Sequence, residues 1–355
     1  MWCAGVTILK PLEKPIKPAS FFDALVPITV LICLLGAAVY LFGDNSSSGP
    51  NQIALLFATF AAALIGLKNG YTWKKLEEAM IEGITLSLGA ILILLMVGAL
   101  IGTWLLSGTV PTLIYYGLQI INPSWFYAAS CLICGIVAMS IGSSWTTAAT
   151  IGVALLGVAT GLGLDQTVTA GAVISGAYFG DKLSPLSETT NLAPAVVGAD
   201  LFEHIHHMLW TTVPSFVIAL IIFIFMGFNA TASNEAGRID EITAILEQNF
   251  NIGFEMLIPL IVLLVLAIKK MPAFPAISIG AVIGAVWAML FQSDLIATQI
   301  DLSQGELVGY FKIIWTTFFD GFSIDTGDDK MDSLLSGGGM AGMLTTTWLI
   351  MTALM

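Results

Sequence analysis

The chain has 355 residues, of which 57% are hydrophobic and 10% charged, and its formal net charge is −12. Soluble domains carry about 25% charged residues, so an ordinary soluble enzyme or binding module is excluded. With twelve basic residues in all, a nucleic-acid-type basic patch is excluded too. What remains is an all-α polytopic membrane protein, because only helices and closed barrels satisfy their backbone groups in lipid.

Residues 1–20 form a segment with Lys10, Lys14 and Lys17. Apolar stretches long enough to cross a bilayer follow at 24–43, 52–67, 84–106, 208–228, 256–268 and 272–292. The first is too long in its apolar core for a cleavable signal and lacks a small-residue cleavage site. Residues 125–164 carry no charge and have room for two more spans; 110–122 is shorter. The amphipathic YTWKKLEEAMIEGI at 71–84 reads as an interfacial helix, with Trp73 and the adjacent lysines at headgroup level. Lysines cluster at 10–17, at 68–75 and at 269–270, whereas loops 44–51, 229–253 and 293–308 are acidic or neutral apart from Arg238. The positive-inside rule therefore predicts a cytoplasmic N-terminus and an even number of crossings between 123 and 205.

Two stretches recur. FDALVPITVLICLL (22–35) resembles FEMLIPLIVLLVLA (254–267), and LLSG at 105–108 returns at 334–337, each about 230 residues later. The lysine distribution gives the two copies opposite orientations, which predicts an inverted repeat. The expected organisation is a cytoplasmic segment (1–20), a first transmembrane repeat (21–228), a polar external loop (229–253) and an incomplete second repeat (254–355). On this arithmetic about 100 residues of the second copy would lie beyond Met355; a natively shorter second half is the alternative.

The most specific polar feature is GDKLSPLSETTN, 180–191. Asp181, Lys182 and Glu188 fall between Gly- and Ala-rich apolar flanks, and Pro185 forbids a continuous helix. Each charge at bilayer depth costs about 2.5–3.5 kcal/mol on insertion scales, and broken backbone survives there only when buried or lining a cavity. The flanks 166–180 and 192–199 suggest two half-helices around an unwound middle. Burial raises a carboxylic acid's pKa while a neighbouring cation lowers it, so such a group can hold either a proton or Na⁺. Asp181 and Glu188 are the candidate Na⁺-binding acids. Ser184, Ser187, Thr189, Thr190 and Asn191 supply neutral oxygens, and Lys182 is a candidate ion-pair partner for Asp181. The structural alternative is a solvated surface loop.

A second polar stretch, SIGSSWTTAAT (140–150), surrounds Gly142 with hydroxyls, among them Ser143, Ser144, Thr146 and Thr147. Hydroxyls and freed carbonyls are hard donors suited to small dehydrated cations, though Ser and Thr also pack along membrane helices. His204, His206 and His207 lie in DLFEHIHHMLW, at the mouth of the 208–228 span. Their spacing is not a zinc signature; an interfacial role or pH sensing fits, since His titrates between pH 5 and 8. Cys131 and Cys134 read as small apolar residues on a membrane helix, and the acids at 325–332 as a solvated loop.

Several of these stretches, GPNQIALLFA, SIGSSWTTAATIGVALLG, HHMLWTTVPS and above all GDKLSPLSETTNLAP, resemble the NhaC-type sodium/proton antiporters of the ion transporter superfamily. The resemblance covers nearly all of 20–355. It implies a multi-pass protein of the bacterial inner membrane that exchanges external protons for internal Na⁺, with Na⁺ and H⁺ as cargo and no resident cofactor. Some members of that family exchange organic acids, malate for lactate, with Na⁺ and protons, which is the alternative reading here. Members are usually longer and carry a second SPL-type break. An intramembrane hydrolase is disfavoured, since Ser143 and Ser144 have no His within a span. The expected partners are the lipid bilayer, Na⁺ and H⁺, with no nucleic acid; homo-oligomerisation is left open.

Overall fold

The computed structural model describes residues 16–120, 122–185, 187, 190, 193–194, 199–229, 236–269, 271–299, 306–328, 331–332 and 335–355. Among them the protein is helical, with no β-strand and one isolated antiparallel bridge, Phe322 to Gly337. Six helices are long and apolar enough to cross a membrane, or up to eight spans if two bent helix pairs each count as one.

Two compact units divide the chain, one of residues 1–91 with 344–355 and one of residues 92–343. The first unit holds α1 (Phe21–Phe42), α2 (Pro50–Lys68), the beginning of α3 (Trp73–Leu106) and α15 (Leu344–Ala353). α1 starts where Ser20 and Asp23 cap each other reciprocally. Asp23 also accepts from Lys68 Nζ at 2.8 Å, which ties the start of α1 to the end of α2. Ala54, Ala58 and Ala63 are the buried small residues of α2, and most large apolar side chains of α1 are exposed, as a lipid-facing helix requires. Buried Gln52 donates to the carbonyls of Ser47 and Thr345.

α3 corrects one expectation. The stretch 71–84 is no separate interfacial helix: from Trp73 it continues without interruption into the 84–106 span as one helix of 34 residues. At 1.5 Å per residue that is about 51 Å, longer than the hydrocarbon layer. No Pro or cap intervenes to stop it.

In the second unit come α4 (Thr109–Ile120), α5 (Phe126–Ile141), α6 (Ser144–Thr147), a π turn (Ala148–Gly152), α7 (Val153–Gly161), α8 (Gln166–Leu183), α9 (Leu201–Asn229), α10 (Ala236–Asn249), α11 (Ile258–Ile268), α12 (Ala273–Phe291), α13 (Ser293–Gln299) and α14 (Glu306–Asp320). Leu100, Trp104, Ile114, Phe126, Leu246 and Ile277 lie at the centre of its core. Trp104 donates its indole N–H to the Gly280 carbonyl at 3.2 Å, which satisfies the one polar atom of a buried ring. The most apolar stretch of α9 buries no residue in protein.

Two pairs of consecutive helices are sharply bent. Thr109–Ile120 meets Pro123–Met139 at 106°, where Asn122 caps a new helical turn through the Ser124 N–H. Asp240–Asn249 meets Phe254–Leu266 at 83°. The expected polar loop 229–253 therefore contains a helix, α10. Its Ile242 and Leu246 are buried together with Phe250, the i, i+4, i+8 spacing of one helical face. The acidic residues on the remaining positions hid that periodicity. At the other end, 166–180 is part of an 18-residue helix, α8, about 27 Å long. The partner half-helix expected at 192–199 falls mostly outside the described residues.

Candidate functional site

Close contact between α5 and α8 builds the site. A Cβ on Gly176 would collide with the Cys131 carbonyl, and one on Gly180 with the Gly135 carbonyl and the Met139 N–H. These two glycines, four residues apart on one face, let the backbones touch, the small-xxx-small mode of membrane helix packing. Cys131 and Cys134 are buried in the same contact region and free of disulfide. At the far end of α8, Asp165 caps the helix by accepting from the Thr167 and Val168 N–H groups at 2.7 and 3.1 Å. Those two bonds hold its carboxyl below the usual range.

α5 stops at Gly142, whose φ of 76° is left-handed and whose N–H closes on Ala138. Ser143 is extended and restarts the helix: its Oγ accepts from the Thr146 N–H at 3.2 Å and from Thr146 Oγ1 at 3.0 Å. Thr147 donates to the Ser143 carbonyl and Thr150 to the Thr146 carbonyl. The following turn, 148–152, is π-helical, a local geometry found frequently at functional sites.

α8 brings Asp181 to this restart. Asp181 is buried, 8% exposed as a residue, and its Oδ2 accepts from Ser144 Oγ at 3.1 Å. Oδ1 has no hydrogen-bond partner among the described residues. The chain then leaves the helix at Ser184, which is extended and precedes Pro185. Thr190 covers the carbonyls released there, donating to Asp181 O and Lys182 O at 3.2 Å each. The Ser187 N–H donates to the Ser184 carbonyl, and Ser187 Oγ accepts from the Thr190 N–H. Ser144, Thr146, Thr147, Ser184, Ser187 and Thr190 are all buried. One buried acid, bonded to one hydroxyl, thus lies between two helix breaks that carry further buried hydroxyls.

The sequence-derived residues separate accordingly. Asp181 and Ser144 are in direct contact, with Ser143, Thr146 and Thr147 organising the restart and Ser184, Ser187 and Thr190 the exit. Lys182 is exposed, and among the described residues it forms no ion pair with Asp181. Glu188, Thr189 and Asn191 lie outside the described residues. The histidines stand on the first turns of α9, capped by Asp200 through the Phe202 and Glu203 N–H groups. His204 is half-buried, His206 and His207 are exposed. Among the described residues no three His, Cys, Asp or Glu side chains converge as metal ligands. Sequence reasoning did not find the π turn, which has no compositional signature, or the capping role of Ser143, which the S-x-x-T spacing just after Gly142 could have suggested.

Fold and composition define a multi-pass helical membrane protein. The model of the Na⁺/H⁺ antiporter family matches residues 15–178 and 176–355, and the chain belongs to that family. It is 39% identical to the malate-2H⁺/Na⁺-lactate antiporter of Bacillus subtilis over 96% of this chain and 69% of that protein. It is 41% identical to the Na⁺/H⁺ antiporter NhaC of Alkalihalophilus pseudofirmus over 85% and 62%. It is 35% identical to the arginine/ornithine antiporter ArcD of Halobacterium salinarum over 96% and 67%. The chain thus spans about two thirds of the length of these relatives. No solved structure matches it.

Proposed function

We propose that the protein takes part in Na⁺/H⁺ antiport and that Asp181 is the group for which the two ions compete. The observation that carries this reading is a buried carboxylate held by Ser144 Oγ at 3.1 Å between two helix breaks rich in oxygen donors. A proton neutralises such a group; a sodium ion neutralises it equally, with Ser, Thr and carbonyl oxygens replacing water. Occupancy by one excludes the other, and access alternating between the two faces turns that competition into exchange. Glu188 is the second proposed acid. Two close acids would titrate as a pair.

The setting proposed is the bacterial inner membrane with the N-terminus cytoplasmic and the two repeats inverted. The positions of FDALVP and FEMLIP support the repeat: α1 opens at the first, and a short 3₁₀ turn leading into α11 opens at the second. Na⁺ and H⁺ are cargo, and no resident cofactor is needed. His204, His206 and His207 are proposed to set the pH response; replacing all three by Gln flattens the pH profile of exchange, and an unchanged profile removes that role.

A second reading, exchange of organic acids coupled to Na⁺ and H⁺, is favoured by the relative whose name describes malate and lactate antiport. The deciding experiment is flux in proteoliposomes. With a pH gradient imposed, Na⁺ uptake is expected in wild type and lost in Asp181→Asn. Full exchange in Asp181→Asn and Glu188→Gln would overturn the carboxylate mechanism, and flux that requires malate or lactate would establish the second reading.

A further inference from the structure

The body of α4 and the elbow that follows α10 line a cavity of about 380 Å³, formed by Tyr115, Tyr116, Glu247, Phe250, Asn251 and Ile252. α4 supplies the two tyrosines, while α10 and the chain just after it supply the rest. The Tyr115 hydroxyl donates to Glu247 Oε1 at 2.6 Å. Tyr116 stands edge-on to Tyr115, with centroids 5.3 Å apart, and stacks on Phe254 at 4.6 Å with planes 8° apart. Asn251 spends its side-chain N–H on the Phe291 carbonyl at 3.3 Å, and its backbone N–H and C=O are both held by Gln292. The lining is therefore fixed from three sides, and the Asn251 side chain retains an acceptor, Oδ1.

The lining holds three aromatic rings, one carboxylate, one amide and no basic residue. A sodium ion wants a tight shell of hard oxygens, and this cavity is far too large and too aromatic for that. Aromatic rings beside an acid favour a weakly hydrated organic cation, which the rings attract through their quadrupoles and the carboxylate through its charge. The volume falls within the range of small-molecule pockets. We propose that this cavity binds a small alkylammonium ion, with its charged end at Glu247 and its alkyl groups against Tyr115, Tyr116 and Phe250. The Tyr115 hydroxyl donates to Glu247 Oε1 alone, so Oε2 is left for the ligand, and the hydroxyl competes with the ligand for the carboxylate's charge.

Calorimetric titration of the detergent-solubilised protein tests this, using tetramethylammonium and methylammonium chloride as probes. Sodium chloride at equal ionic strength and neutral tert-butanol serve as controls. Saturable binding of the ammonium probes alone is expected. Glu247→Gln, a conservative change at an exposed position, weakens binding about tenfold or more. Tyr115→Phe keeps the ring and frees the acid, so it tightens binding. No saturable binding, equal response to sodium or to tert-butanol, or indifference to both substitutions would each overturn the proposal.

Discussion

Two breaks in the second unit bring backbones into close contact, and both use glycine to do it. In the first, Gly176 and Gly180 press α8 onto α5, and Gly142 ends α5 beside Asp181. In the second, the chain after α14 turns at Gly321 and returns through Gly337, Gly338 and Gly339. There the Gly339 N–H donates to the Gly98 carbonyl at 2.6 Å, and Cβ atoms at Gly98 or Gly338 would strike backbone across the contact. Phe322 and Gly337 exchange two backbone hydrogen bonds. The packing solution is shared; the chemistry is not. The first break buries a carboxylate among hydroxyls. The second keeps Asp325, Asp328 and Asp332 exposed or half-buried and spends acid on the loop itself: Asp332 accepts from both the N–H and the hydroxyl of Thr326, at 2.7 and 2.6 Å. Close backbone approach makes room for a site; only the side chains carried into that room make it one.

Removing the charge in each region sharpens the contrast most. Asp181→Asn is expected to abolish Na⁺-driven proton flux in proteoliposomes while leaving the protein folded. Asp332→Asn is expected to lower the thermal midpoint and leave flux per folded molecule unchanged. Loss of flux in both would mean that the second break also handles the ion.

Adding a methyl group tests the shared part. Gly180→Ala and Gly338→Ala each force backbone apart and should destabilise the protein by about 1–3 kcal/mol, read from thermal unfolding in detergent. Gly338 carries the added burden of a left-handed φ of 78°. Only Gly180→Ala displaces Asp181 from Ser144, so only it should also raise the Na⁺ concentration for half-maximal flux.

A smaller effect follows from the hydroxyl alone. Ser144→Ala removes one hydrogen bond to a carboxylate and should weaken Na⁺ dependence by about tenfold, with Ser144→Thr restoring it. An unchanged response to Na⁺ would reduce Ser144 to a packing residue.

Much of the first region was legible in the sequence and little of the second. Asp181, Pro185 and the hydroxyl run stand out because charge and broken backbone are rare in apolar sequence. The Gly- and Ala-rich flanks announced close packing. The glycines at 337–339 carry no such signal, since a run of Gly after acidic residues reads equally as a solvated loop. α10 was missed for a different reason: Ile242, Leu246 and Phe250 share a face, but Asp240, Glu241 and Glu247 around them lowered the apparent hydropathy. The breaks before Pro123 and Phe254 fall between stretches that the sequence already separates, but their angles were not legible, because apolar runs reveal length and not direction.

The least perturbing test compares the two acids of α8 itself. Asp165 caps its N-terminus in an exposed position, and Asp181 lies buried near its C-terminus. The N–H groups of Val168 and Thr167 hold the Asp165 carboxyl below its ordinary value. A group whose folded pKa is depressed contributes stability above its unfolded pKa of about 3.9 and loses it as pH falls through the folded value. Asp165→Ala should therefore unfold at a slightly lower temperature than wild type at neutral pH, and the gap should close on acidification below the carboxylate range. Flux at neutral pH should stay near wild type, because the cap secures the end of α8 remote from the ion. A gap that persists unchanged in acid would show that Asp165 acts through packing rather than through its charge, and a large loss of flux would show that the two ends of α8 are not independent.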